Sequence, residues 1–184
     1  MGLFDAVAAT ATEQDEPRPG DELVAPADVV MDRAFTLADE PAAVWPWIVQ
    51  LGKRRAGWYL PARVERFVPR RRRAAVRVVD RWQHLAVGNV IPDYGGRDET
   101  FVVDEIDPPH TLVYRSRRGR TDVSWSITLR PVTGGTRVHL RLRLGPVRHV
   151  RLAETVGDAF DAVTIAGMAA GLRERLAVSP PAAR

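Results

Sequence analysis

Few residues in this chain combine a reactive type with a placement that could do chemistry. Tyr114 is the clearest. Alternate strand positions project to one side, so it shares a face with Leu112 and Ser116. An inward tyrosine hydroxyl needs a partner, either an oxygen of a bound molecule or a protein carbonyl. His84, in a loop beside Trp82, is a candidate general base because imidazole titrates near neutrality; the alternative is a solvated or structural histidine. Arg55 could help either group move a proton or steady an enolate. Trp58 and Tyr59 follow Gly57 between two helical stretches, where the rim of a cavity would lie. Trp58 suits core packing, and Tyr59 suits a ligand contact.

Other chemistries are harder to find. There is no cysteine, which removes disulfides, zinc–thiolate sites, iron–sulfur clusters and thiol nucleophiles. Asp104 and Glu105 are adjacent in a strand and point to opposite faces, so they do not form a carboxylate pair. His84, His110, His139 and His149 lack metal-ligand spacing, and His139 falls on an expected wet face among arginines. Gly95-Gly96 and Gly134-Gly135 do not make a phosphate loop. Ser124 and Ser126 face outward with no nucleophile elbow. No metal and no cofactor is expected. Asp93 caps the turn of Tyr94-Gly95-Gly96, a flexible loop that reads as a lid.

These residues need a frame. The 184 residues are 45% hydrophobic and 27% charged, enough for one domain with a real core. The formal charge is +4, carried by 26 arginines and the single lysine Lys53. That bias reads as a GC-rich genome and weakens functional readings of any one arginine. The Pro69-Arg70-Arg71-Arg72-Arg73 run raises a nucleic-acid or anionic-surface reading. No aromatic residues interleave with it, so a solvated loop is preferred and nucleic acid is not an expected partner. No apolar run approaches the roughly 20 residues of a membrane span. The first residues, Met1 to Ala6, lack a signal-peptide pattern, and cytoplasmic residence is expected. A homodimer is left open.

Residues 1–28 read as an N-terminal tail, 29–178 as the domain, and 179–184 as a frayed C-terminal tail. Met31 to Leu37 alternates as an opening strand. Asp39-Glu40-Pro41 starts a helix whose Val44, Trp47, Ile48 and Leu51 share a face, and Gly52 ends it. A second helix, about 61–67, is expected to bury Val64 and Phe67. Strands follow at 101–106, 110–117, 123–130 and 137–144, the last two joined by Thr133-Gly134-Gly135. Their strict alternation predicts an antiparallel sheet with one wet and one dry face. Glu154 to Ala177 reads as one long, largely enclosed helix. Gly167 and Gly171 remove bulk from one spot on it, for close packing or for a ligand.

The Val44-Trp45-Pro46-Trp47-Ile48-Val49-Gln50-Leu51-Gly52 helix, the Arg55-Ala56-Gly57-Trp58-Tyr59 turn and the Trp82-Gln83-His84-Leu85-Ala86-Val87-Gly88-Asn89 stretch carry a resemblance. Together with the element order, they resemble the START-like polyketide cyclase/dehydrase and lipid-transport superfamily (SRPBCC), with its Bet v 1-like helix-grip fold. Pro19-Gly20-Asp21-Glu22 resembles a widespread bacterial branch. The resemblance covers about residues 20 to 177. It departs at Leu60-Pro61-Ala62-Arg63-Val64, where relatives carry a polar lip, and at Asn89, where they carry an acid.

The resemblance implies an α+β fold, a curved antiparallel sheet around a long C-terminal helix, with a hydrophobic cavity between them. The expected lining is Trp58, Tyr59, Tyr114, Val123, Trp125, Ile127, Leu140, Phe160, Val163, Gly167 and Met168. The expected function is binding of a small hydrophobic or amphipathic molecule, lipid-like or polyketide-like. Two alternatives stand beside it: a polyketide cyclase or dehydratase, and an anionic-surface binder using Arg70 to Arg73.

Overall fold

The computed structural model describes residues 5–178. The C-terminal end at 179–184 and the first residues of the expected tail lie outside them. Six strands form one antiparallel sheet: β1 (Val29–Leu37), β2 (Val90–Pro92), β3 (Thr100–Asp107), β4 (Thr111–Arg118), β5 (Thr121–Val132) and β6 (Gly135–Gly145). Their order is β1-β6-β5-β4-β3-β2, so the chain leaves β1, returns at the far edge and winds back by hairpins. The helices are α1 (Ala11–Asp15), α2 (Pro41–Gln50), α3 (Ala62–Glu65), α4 (Val150–Leu152) and α5 (Asp158–Val178). A π-helical segment, Ala153–Gly157, joins the last two. The curved sheet and its long C-terminal helix are an α+β helix-grip fold.

Register explains the two faces. Met31 opposes Leu142, Leu142 opposes Trp125, Trp125 opposes Tyr114, and Tyr114 opposes Val103. Directly paired residues project to the same side, so this row lies on the inner face. The next row is Arg33, Leu140, Ile127, Leu112 and Ile106. A register shift between Val103 and Glu105 lets both Val103 and Ile106 keep that face. Leu112, Ile127 and Leu140 are at most 2% exposed, which puts the core between this face and α5.

The outer face is wet only in part, at Arg115, Arg117 and Arg130, contrary to the alternation reading. Ser124, Ser126, Thr128, His139 and Arg141 are all buried. Residues 5–28, expected as a tail, fold back over them. Thr10 and Glu13 form a capping box that starts α1. Glu13 also receives Arg137 Nε at 2.7 Å, and this guanidinium holds its carboxyl down to about 2. Arg141 donates to Asp32 and Asp21 and to the carbonyls of Glu13, Gln14 and Glu16. His139 Nε2 lies 3.0 Å from Asp32 Oδ1. Burial works against the Asp32 carboxylate, but His139 and Arg141 outweigh it and keep its pKa low. The cover is largely ionic, with Val7, Ala9 and Val24 as scattered apolar anchors, so hydrophobic periodicity carries little trace of it.

Two helical expectations change. The second helix is a single turn, α3, with Val64 42% and Phe67 77% exposed. Its buried residue is Glu65, which receives Arg175 Nη2 of α5 at 2.7 Å, so an ion pair anchors α3 where apolar packing was expected. In α5, Ile165, Met168, Leu172 and Leu176 are buried, but Phe160 and Val163 are 73% and 49% exposed. The adjacent line of that helix is covered only further along, by Leu60. A Cβ on Gly167 would meet Leu60 Cδ2 at 2.9 Å, and one on Gly171 would meet the Leu60 backbone at 2.7 Å. These glycines therefore serve close packing rather than a ligand.

Candidate functional site: an aromatic-walled cavity

Between the first turns of α5 and the β3–β4–β5–β6 face lies a cavity of about 480 Å³. The sheet supplies Met31, Phe101, Trp125, Leu142 and Leu144. The helix supplies Phe160, Thr164 and Ile165, and Leu51, Trp58, Ile91 and Tyr94 close the remaining sides. The volume falls in the range of small-molecule sites.

Aromatic rings set its shape. Trp125 has ring-centroid distances of 6.2 Å to Trp58, 5.9 Å to Phe101 and 5.7 Å to Tyr114. Trp58 meets Tyr94 edge-on at 6.0 Å. The Trp58 indole donates to Thr164 O at 3.2 Å, which satisfies its N–H and fixes the ring against α5. The turn that presents Trp58 is closed by Gly52 and Gly57, which exchange backbone hydrogen bonds. Gly52 has φ +136, a conformation that other residues rarely adopt.

Polar groups stand at two places on the wall. Asp93 pairs with Arg118 and accepts from Gly95 N at 3.0 Å, which caps its turn as the sequence suggests. Lys53 Nζ donates to the carbonyls of Asp93, Gly96 and Arg97, so the loop read as a flexible lid is tied down. On the helix side, Asp161 Oδ2 lies 3.0 Å from Arg33 Nε. Burial pushes the Asp161 carboxyl up to about 6, with Arg33 opposing and Asp158 adding to the rise.

The residues expected at the site divide into three groups. Trp58, Trp125 and Phe160 line the cavity. Tyr59, Tyr114, Val123, Ile127, Leu140 and Met168 are buried in the surrounding core. Tyr59 donates to Trp47 O and accepts from Gln50 Nε2, so its hydroxyl is structural. Tyr114 sits behind Trp125, and burial raises its pKa. Val163 is exposed, and Gly167 is packed on Leu60.

The candidate catalytic residues do not converge. His84 is exposed and outside the cavity wall. Arg55 donates to Val49 O and Trp82 O, tying the end of α2 to the following loop. Arg73 of the basic run donates to Val68 O and Arg66 O of its own loop. Among the described residues no group of three or more His, Cys, Asp or Glu is placed to hold a metal ion, and no helix is long and apolar enough to cross a membrane.

Sequence reasoning did not bring Arg118 or Asp161 to the site, and it read Asp93 only as a turn cap. One signal was present. Arg33 shares an apolar strand face with Met31 and Phe35, and a buried guanidinium requires a carboxylate partner.

No family model matches the chain, and no curated protein matches it. Solved structures do. A protein from Rhodobacter sphaeroides is similar at 19% identity and TM-score 0.55, over 84% of this chain and 97% of its own. A Mesorhizobium loti protein gives 16% identity and TM-score 0.50, over 83% and 99%. DynU16, from the dynemicin biosynthetic locus, gives 15% identity and TM-score 0.51 over 85% of this chain, which spans 49% of DynU16. At such identities the likeness concerns the fold alone, a helix-grip architecture.

Proposed function

We propose that the protein binds a small, largely apolar molecule in the cavity between the sheet and α5. The observation that carries this reading is the cavity itself: about 480 Å³, walled by Trp58, Trp125, Phe101, Leu142 and Ile165, with charged groups confined to two places. Burying about 200 Å² of apolar ligand surface would contribute roughly 5 kcal/mol before the costs of association. That burial favours a lipid-like or polyketide-like ligand, and tight binding would require a larger buried area. The binding unit is the 29–178 domain together with the 5–28 segment packed on it, and we place it in the cytoplasm.

The test is a titration with the neutral dye N-phenylnaphthylamine, which brightens in apolar surroundings. The reading requires saturable binding of one dye per chain. A signal that never saturates rejects it.

One observation favours an enzyme as a second reading. Asp161 stands on the cavity wall, and a carboxyl titrating at about 6 exchanges protons at neutral pH. A cyclase or dehydratase acting on a bound chain would use it in place of Tyr114 or His84. Asp161→Asn would then abolish turnover of a substrate that still binds, and unchanged turnover would remove this reading.

A further inference from the structure

The charges around the cavity do not balance. Arg33 and Arg118 are the cations, and Asp93, Asp158 and Asp161 are the carboxylates. Arg118 and Asp93 pair with each other. The Asp93 side chain is only 5% exposed and also accepts from Gly95 N, so that corner is neutral and largely satisfied. Arg118 Nε makes no hydrogen bond among the described residues and offers a donor to a neutral acceptor.

The helix corner differs. Arg33 alone serves both Asp158 and Asp161. Its Nη2 donates to Asp158, at the carboxylate and at the carbonyl, and its Nη1 donates to Asp32 O. On the far side of Arg33, the Asp32 carboxylate is engaged by Arg141 and His139. Asp161 is thus the carboxylate in excess, and it lines the cavity. A half-buried carboxylate without a full counter-charge attracts a cation strongly, because nearby water is scarce. Trp58 and Trp125 line the same cavity, and indole rings favour cations.

From this imbalance we propose that the preferred ligand is an apolar, ring-bearing molecule with a protonated amine, its ammonium resting on Asp161. The proposal rests on the reading of the cavity as a ligand site. Burial, which keeps Asp161 titrating near 6, gives it a pH signature. The ionised carboxylate present above that value holds the ammonium, and the protonated form below it does not.

Three probes share one ring system and differ in charge: naphthylmethylamine, naphthylmethanol and naphthylacetate. Calorimetric titration at about pH 8 and about pH 5 brackets the Asp161 transition. At the higher pH the amine is expected to bind about tenfold more tightly than the alcohol, and the acetate least. At the lower pH the amine should lose most of that advantage. Asp161→Asn should bring amine and alcohol together at both pH values, and Asp161→Glu should restore the preference. Arg33 keeps Asp158 and two carbonyls in these variants, and circular dichroism checks their fold. An acetate that matches the amine, or an amine preference that survives Asp161→Asn, overturns the proposal. Binding of the alcohol with no charge preference would leave the cavity reading standing and remove this one. Failure of all three probes to bind would instead reject the cavity reading.

Discussion

The Trp58 ring lies across from that of Trp125 with centroids 6.2 Å apart and planes 24° from parallel. One ring comes from the turn after α2 and the other from the centre of the sheet. The indole N–H of Trp58 reaches the Thr164 carbonyl of α5. Three separate pieces of the fold thereby meet at one side of the cavity.

Truncating that ring should weaken ligand binding without dismantling the fold. Trp58 is half-buried, and its loss removes one aromatic wall and the bond to Thr164 O. Trp58→Ala is expected to lower N-phenylnaphthylamine affinity about tenfold, near 1.4 kcal/mol, measured by fluorescence titration. A larger cavity opening with unchanged affinity would show that the ring is only a core filler.

Gly171 and Gly167 separate two kinds of close contact. A Cβ at Gly171 meets Leu60 backbone at 2.7 Å, whereas at Gly167 it meets only the tip of the Leu60 side chain. Alanine gains about 1 kcal/mol of helix propensity at either site. Gly171→Ala should nonetheless destabilise by about 1–3 kcal/mol, because backbone must move. Gly167→Ala should fall within about 1 kcal/mol of the parent, since a rotatable side chain can give way. Chemical denaturation compares the two.

Arg175 fastens α5 to α3 and to the segments on either side of it. It donates to Glu65, to the carbonyls of Leu60 and Ala75, and to Gly171 O one turn back. Arg175→Met leaves Glu65 buried without this partner, and a loss of about 3–5 kcal/mol is expected. Arg175→Met combined with Glu65→Leu should recover part of it, read from the same denaturation curves.

The pH dependence of stability follows from Asp161. Its carboxyl titrates at about 6 in the folded chain, above the ordinary value of 3.8. Between these values the folded state binds more protons than the unfolded chain. Its contribution to stability therefore falls as pH rises through that window, the reverse of an ordinary salt-bridged carboxylate. Asp161→Asn should be more stable than the parent by about 1–3 kcal/mol at about pH 8, with the gain vanishing below about pH 4. Glu13 works the other way. Arg137 holds it down to about 2, so its stabilisation is full above the unfolded value and lost as pH falls towards 2.

The sheet was legible because Val123, Trp125, Ile127 and Leu129 alternate with polar neighbours, and register then placed Tyr114 opposite Trp125. Alternation reports which face a residue takes but not its depth. Tyr114 and Phe160 illustrate the difference: one lies behind the wall and the other at the open side. Ionic packing leaves no periodic signal, so the Glu13–Arg137 and Asp21–Arg141 contacts that cover the outer face went unread. For the same reason the sequence at 61–67 reads as apolar packing through Val64 and Phe67, while Glu65 and Arg175 hold α3. Asp161 lies in the acidic first turn of α5, where a carboxylate is ordinary, so its type and position carry no signal of a site.

The most direct test of ligand binding in the cavity is a crystal structure of the protein with N-phenylnaphthylamine. The account requires the dye between Trp125, Leu142 and Ile165, with one ring against Trp58. A dye bound at the exposed Phe67, with the space beside Trp125 empty, would contradict it.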